Sequence, residues 1–194
     1  IKPEPRTANE WYRYGRSQSL ENCDVPMKLV VGVLSNGYKY SIDTKSTFIS
    51  SGGTAGYCPI NVPADCQYSI YYIQALLSSR YLEWFALIYG EIFRGGFVAR
   101  GTKVLKRMPI VKIDFTNQVS KKLHDNIANL QKEMNETFSN YDHNSGNARI
   151  SIPLKREFDR QKALMENKLI ELFDLGELDE KVPSISEIYN IKVD

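Results

Sequence analysis

Histidine is nearly missing from these 194 residues, with only His124 and His143. Cysteine is little commoner: Cys23, Cys58 and Cys66 stand at irregular spacing, with no CxxC or HxxxH pair to suggest zinc. A fourth zinc ligand would have to come from His124 or His143, both in the other half of the chain. An odd cysteine count without a spaced framework points to a reduced, cytoplasmic protein rather than a disulfide-stapled secreted one. No apolar run reaches the roughly 18 residues of a bilayer span. The longest, residues 81–89, is broken by Glu83. Neither a signal peptide nor an initiator Met is visible, so the chain reads as a piece of a longer polypeptide. Also missing are the phosphate-cradling GxxxxGK(S/T) loop, the GxSxG elbow, HExxH, the dinucleotide GxGxxG and any Pro-Pro dipeptide. "SSGGTAG" is glycine-rich but has no lysine in place. With His124 expected on the solvent side of a helix and His143 in a polar loop, general acid–base catalysis has few candidates.

What is present is one-sided charge. The net charge is only +2. Residues 1–115, however, hold 14 Lys/Arg against 9 Asp/Glu, and residues 116–194 hold 11 against 14. Within 94–112, Arg94, Arg100, Lys103, Lys106, Arg107 and Lys112 meet no acidic residue. Such a block is either a solvated face or the footprint of a phosphate-binding surface. The stretch "EWYRYGRSQSL" (10–20) interleaves Trp11, Tyr12 and Tyr14 with Arg13, Arg16 and Gln18. It is a strand edge carrying charge, or a surface that meets something anionic and flat.

Periodicity divides the chain near Phe115. Before it, "KLVVGVL" (28–34) and "YKYSID" (38–43) flank Ser35-Asn36-Gly37, and Asn-Gly between such runs predicts a hairpin. "TFIS" (47–50) is expected to continue the sheet, and "SSGGTAGYCPINVP" (50–63) to be an exposed loop. Residues 65–90 predict helix, with Asp65 as a cap and Ile70, Ile73, Leu76 and Leu77 at helical spacing. Ser79 caps a second helix carrying Leu82, Phe85 and Tyr89. A glycine turn, a basic helix around 102–107 and a closing strand after Pro109 complete an α/β unit. Beyond it, Thr116 caps a helix striped by Val119, Leu123, Ile127, Leu130 and Met134. Pro153 opens another, striped by Leu154, Phe158, Met165, Leu169 and Leu172 and stopped by Gly176. Two stripes joined by the polar segment 139–149 predict an antiparallel helical hairpin. Ser184 and Glu187 form a capping box for a last short helix. The expected fold is therefore α/β (α+β): a small mixed-sheet domain with packed helices over 1–115, then a helical hairpin and tail over 116–194.

Three segments in this order, "WYRYGRSQSL" (11–20), "YYIQALLSSRYLEWFALIYG" (71–90) and "FRGGFVARGTKVLKRMPI" (93–110), resemble the TaqI-like C-terminal specificity domain of type II restriction-modification methyltransferases. The aromatic-plus-Gly15-Arg16 opening, Leu76-Leu77-Ser78-Ser79 with Trp84-Phe85, Arg94-Gly95-Gly96-Phe97 and the Leu105-to-Ile110 closure carry the likeness. "ENKLIELFDLGELDEKV" (166–182) is similar to the final helix of such enzymes. The resemblance implies a target-recognition module for double-stranded DNA. It implies a parent enzyme that methylates adenine N6 with S-adenosylmethionine through an Asn/Asp-Pro-Pro-aromatic motif, in some members fused to an endonuclease. This chain lacks that motif and any cofactor glycine loop, so the fragment is expected to be non-catalytic and without cofactor. Its partners would be DNA and the catalytic methyltransferase or nuclease region, in the same polypeptide or a partner subunit, with no membrane.

On this reading Arg13 and Arg16 point to DNA, and Gln18 can pair with adenine as arginine pairs with guanine. Arg94, beside two glycines, does likewise, while Arg100, Lys103, Lys106 and Arg107 hold phosphates. Lys39 and Lys45 lie near the first hairpin, and loop 50–57, with Ser50, Ser51 and Thr54, is placed for base readout. Alternatives stand beside it. Arg16 could pair internally with Glu83 or Glu91, and Arg94 could hold its own loop through carbonyls. The helices 116–175, which resemble the spacers of type I specificity subunits, could make the chain an interaction module that docks a catalytic subunit.

Overall fold

The computed structural model of the chain describes residues 25–37, 40–49 and 56–190. Six strands are seen there: β1 (Lys28–Gly32), β2 (Leu34–Ser35), β3 (Tyr40–Asp43), β4 (Tyr57–Ile60), β5 (Ile92–Phe93) and β6 (Phe97–Ala99). Six α-helices accompany them: α1 (Ile70–Leu77), α2 (Arg80–Tyr89), α3 (Thr102–Leu105), α4 (Gln118–His143), α5 (Ala148–Phe173) and α6 (Ile185–Asn190). The strands form two three-stranded sheets, ordered β3-β1-β4 and β2-β6-β5, and every pairing is antiparallel. The fold is mixed α and β, as the periodicity predicts.

The chain reverses at Asn36-Gly37, where Gly37 takes φ 89°, and Val31 faces Tyr40 across the ladder. It is not a tight two-residue turn, because Leu34 and Ser35 leave the first sheet to pair with Ala99 and Val98 in the second. Residues 47–49 form no strand. The Asp43 carboxylate accepts from the backbone N–H groups of Lys45 and Thr47 and from the Thr47 hydroxyl, which turns the chain out of the sheet. The outer partner of β1 is instead β4, inside the stretch expected to be loop. Pro59 lies within β4, and an edge strand tolerates its missing N–H.

Ser69, not Asp65, caps α1, its hydroxyl accepting from the N–H of Tyr71 at 3.2 Å. Ser79 caps α2 as expected, accepting from Leu82. Helix α1 is buried nearly all round, because the sheet covers one side and α4 the other. Gln74 joins the two: its amide donates to the Tyr40 carbonyl at 2.9 Å, and its oxygen accepts from Asn135 of α4 at 2.8 Å. No closing strand follows Pro109. Side chains replace the ladder there, with the Tyr72 hydroxyl donating to the Val111 carbonyl and the Ile113 N–H to the Tyr68 hydroxyl.

Helices α4 and α5, 26 residues each and so about 39 Å long, pack against each other as the predicted antiparallel pair. Asn117, one residue past Thr116, supplies the cap of α4. Ile127, Leu130, Met134, Met165 and Leu169 are buried, but Val119 is 74% exposed because α4 begins beyond what α1 covers. Pro153 lies a turn and a half inside α5, whose cap is Asn147, and the helix ends on Asp174 in the left-handed region rather than on Gly176. The hydrophobic core runs without a break from Leu29 and Leu76 to Ile127 and Leu169, across residue 115. Ser184 and Glu187 form the capping box, each accepting the other's N–H.

Candidate nucleic-acid interface

The site grows from the end of α2. Gly90 ends that helix where it crosses β6. A Cβ there would stand 2.5 Å from the Ala86 carbonyl and 2.8 Å from that of Ala99. The close approach launches β5 directly, and β5 and β6 form a three-residue hairpin loop of Arg94, Gly95 and Gly96 between Phe93 and Phe97. Gly95 and Gly96 adopt φ of 84° and 74°, conformations costly for any residue with a Cβ. The loop is held from outside, Asn36 donating its amide to the Gly95 carbonyl at 3.1 Å, so Arg94 is not needed for that task. Arg94 is exposed at the tip.

Helix α3 follows β6 and carries exposed Lys103, with exposed Lys106 and Arg107 just beyond it and Lys112 further on. The Arg107 guanidinium lies over the Tyr89 ring, 4.6 Å from its centroid, and that ring in turn meets Phe85 at 4.4 Å. This contact ties the end of α3 to the base of the hairpin. Among the described residues, none of Arg94, Lys103, Lys106, Arg107 and Lys112 makes an ion pair. Ile88, Tyr89, Ile92, Phe93 and Phe97 are exposed as well; of these, Tyr89 lies under Arg107, and Phe93 and Phe97 bracket the loop that carries Arg94. Planar apolar rings among unneutralised guanidinium and ammonium groups suit a polyanion that also offers flat apolar faces.

Arg100 corrects the expected set. It is 1% exposed and turned inward, with its guanidinium on the Glu83 carboxylate at 2.5 Å and on the Ser35 hydroxyl and carbonyl at 2.9 and 3.1 Å. Strand alternation explains this, since Val98 and Arg100 share the buried side of β6 and its continuation. Burial lowers the pKa of Arg100, and its bonds and proximity to Glu83 more than offset that. Glu83 also accepts from the hydroxyls of Tyr40 at 3.0 Å and Tyr189 at 2.6 Å. Desolvation by burial raises the Tyr40 phenol far above its ordinary range, which keeps its proton available for that bond. This cluster fastens α2, β6, β3 and α6 together; it is scaffold.

Lys45 is exposed, yet its backbone N–H rather than its ammonium serves Asp43. Lys28, which no sequence signal marks, is fully buried and pairs with Asp43 at 2.7 Å. Arg13, Arg16, Gln18, Lys39 and Ser51 lie outside the described residues, as do Ser50, Thr54 and Cys23.

His124 is buried, not solvent-facing. Its Nε2 accepts the Ser69 N–H at 3.1 Å, which leaves Nδ1 to donate to Asp125 at 2.9 Å, and the Tyr72 ring lies 4.6 Å away. It joins α4 to the start of α1. His143 ends α4 in the open, against the Ser139 carbonyl. Among the described residues no cluster of His, Cys, Asp or Glu is arranged to hold a metal ion. Burial pushes the Cys58 thiol up, away from nucleophilic use. No helix among the described residues is long and apolar enough to cross a membrane.

The aromatic side of the patch is what sequence reasoning missed. The signal for Phe93 and Phe97 is the Arg-Gly-Gly between them, too short a loop to lie far from a solvent-facing tip.

Comparison with known proteins gives one match of high identity. Over 189 residues, 97% of this chain, it is 57% identical to the type II restriction enzyme and methyltransferase RM.Eco57I of Escherichia coli. The chain spans 19% of that protein's length. No family model and no solved structure matches.

Proposed function

We propose that the chain is a part of a type II restriction-modification protein, and that its role there is to recognise double-stranded DNA. The observation that carries this reading is the series of exposed cations Arg94, Lys103, Lys106, Arg107 and Lys112, none in an ion pair among the described residues, with exposed aromatic rings beside Arg94 and Arg107. The close similarity to a restriction enzyme and methyltransferase supplies the biological setting in which such a surface has a use. Lys103, Lys106 and Arg107 set register and affinity through phosphates, and Arg94 at the hairpin tip reaches a groove, where its fork can read guanine. Arg13, Arg16, Gln18, Lys39, Lys45 and Ser51 complete the surface on the same reading.

Methyl transfer to adenine N6 from S-adenosylmethionine, and strand cleavage, belong to the remainder of the longer polypeptide, in the cytoplasm. This chain supplies position and sequence choice. The stripes of α4 and α5 are spent on each other and on α1. The helices are therefore a buttress for the sheets, and the residual apolar exposure at Phe138, Ile150 and Ile152 is the place for contact with the rest of the enzyme.

Fluorescence anisotropy with a labelled duplex tests the reading. The logarithm of the affinity should fall linearly with log salt, the slope reporting several released counterions. Absence of binding at low salt, with the catalytic region joined to the chain, would defeat it.

A further inference from the structure

The exposed pair Phe93 and Phe97 is not explained by phosphate contacts. The two face each other in register across β5 and β6 and remain 39% and 41% exposed. Between them stand only Arg94 and two glycines, so the tip is narrow: two rings, one guanidinium and bare backbone. It is also stiff. Asn36 holds the Gly95 carbonyl, β2 pairs with β6, and the buried Arg100 donates to the carbonyls of Ser35 and Val98 at 3.1 and 3.2 Å. Arg94 stands at the tip, and Arg107 lies over Tyr89, three residues before β5.

We infer that the β5–β6 hairpin is a wedge that enters duplex DNA at a base step, with Phe93 or Phe97 against the unstacked base and Arg94 in the groove. The inference rests on the DNA-binding reading above and adds a mode of readout. Apolar side chains inserted between base pairs kink the duplex, and flexible pyrimidine–purine steps yield most easily. Such a wedge discriminates by deformability at a step whose base edges it need not touch. An occupant that is protein would suit the rings but not the unneutralised charge around them.

The test uses the whole chain and a duplex of about thirty base pairs rich in pyrimidine–purine steps, with 2-aminopurine scanned through it. Wild type should raise the 2-aminopurine emission at one step. Phe93→Ala with Phe97→Ala should abolish that signal and weaken binding about tenfold or more, with the salt slope unchanged. Lys103→Ala with Lys106→Ala should do the reverse, keeping the signal and reducing the slope. If the phenylalanine variant binds and unstacks like wild type, the wedge is wrong and the DNA-binding reading survives. If wild type, joined to the catalytic region, binds no duplex even at low salt, both fall. If the phenylalanine variant changes only association with the catalytic region, the patch is a protein contact and the wedge is again overturned.

Discussion

Arg100 and Arg94 are six residues apart on one hairpin, identical in chemistry and opposite in use. Arg100 is interior, its guanidinium shared among Glu83, Ser35 and Val98; Arg94 is exposed and makes no ion pair among the described residues. The same division separates Lys28, buried on Asp43, from Lys45, exposed two residues beyond that carboxylate. A basic run is thus two populations, one that braces the sheets and one that is presented outward. The braced population must be satisfied by the protein itself, because a buried charge has no water to fall back on. The outward one keeps its hydration until a partner replaces it.

The largest effect should come from breaking the interior pair. Arg100→Ala leaves the Glu83 carboxylate buried against two tyrosines, and removing one partner of such a pair typically destabilises by about 3–5 kcal/mol. Urea unfolding of the variant should show this loss. Arg100→Met combined with Glu83→Leu should recover most of it, because neither charge is then stranded. A recovery of nothing would mean that the hydrogen bonds to Ser35, Tyr40 and Tyr189, not the charge pair, are what the cluster contributes. Lys103→Ala with Lys106→Ala is the contrasting experiment. Each exposed substitution should change stability by about 0.5 kcal/mol or less. The slope of log affinity against log salt should instead fall by about one unit per lysine in duplex binding.

Acid should separate the two populations as well. Asp43 is held well below the ordinary carboxylate range by the Lys28 ammonium first, then by the N–H of Lys45, and also by Thr47. A depressed folded pKa means the contribution is complete above the unfolded value near 4 and is lost as pH falls through the folded value. Wild-type stability should therefore decline between about pH 5 and pH 2, and Asp43→Asn, already weaker at pH 7, should decline less over that window. Parallel curves for the two proteins would remove Asp43 from the acid response.

What the sequence shows plainly is whatever is local. Ser79 and the Ser184–Glu187 box cap helices through bonds within four residues, and Asn36-Gly37 reverses the chain because Gly37 accepts positive φ. The paired stripes of α4 and α5 follow from a period of 3.6. What it hides depends on a distant partner. Arg100 is inward because Glu83 waits seventeen residues back on an otherwise apolar stretch of helix, and that lone acid was the available clue. His124 is interior because Ser69, fifty-five residues earlier, offers an N–H. The strand at 57–60 hides behind its proline, since only knowledge that β4 is an edge makes Pro59 acceptable. The candidate interface was legible as charge, through Arg94, Lys103, Lys106 and Arg107, but not as aromatic surface.

The smallest effect completes the comparison. Lys45 and Lys28 both serve Asp43, but by different atoms: Lys28 through its ammonium, Lys45 through the backbone N–H at 3.0 Å. Lys45→Ala keeps that N–H, so the carboxylate loses no donor, and stability should shift by about 0.5 kcal/mol or less in thermal unfolding. Lys28→Ala removes the ammonium and empties a fully buried site, so its cost should be several times larger. If Lys45 also meets a phosphate, its alanine variant should weaken binding alike for all duplex sequences and lower the salt slope by about one. A change confined to some sequences would instead move Lys45 from the phosphates to a base, and would extend the reading surface from the β5–β6 hairpin to the far edge of the first sheet.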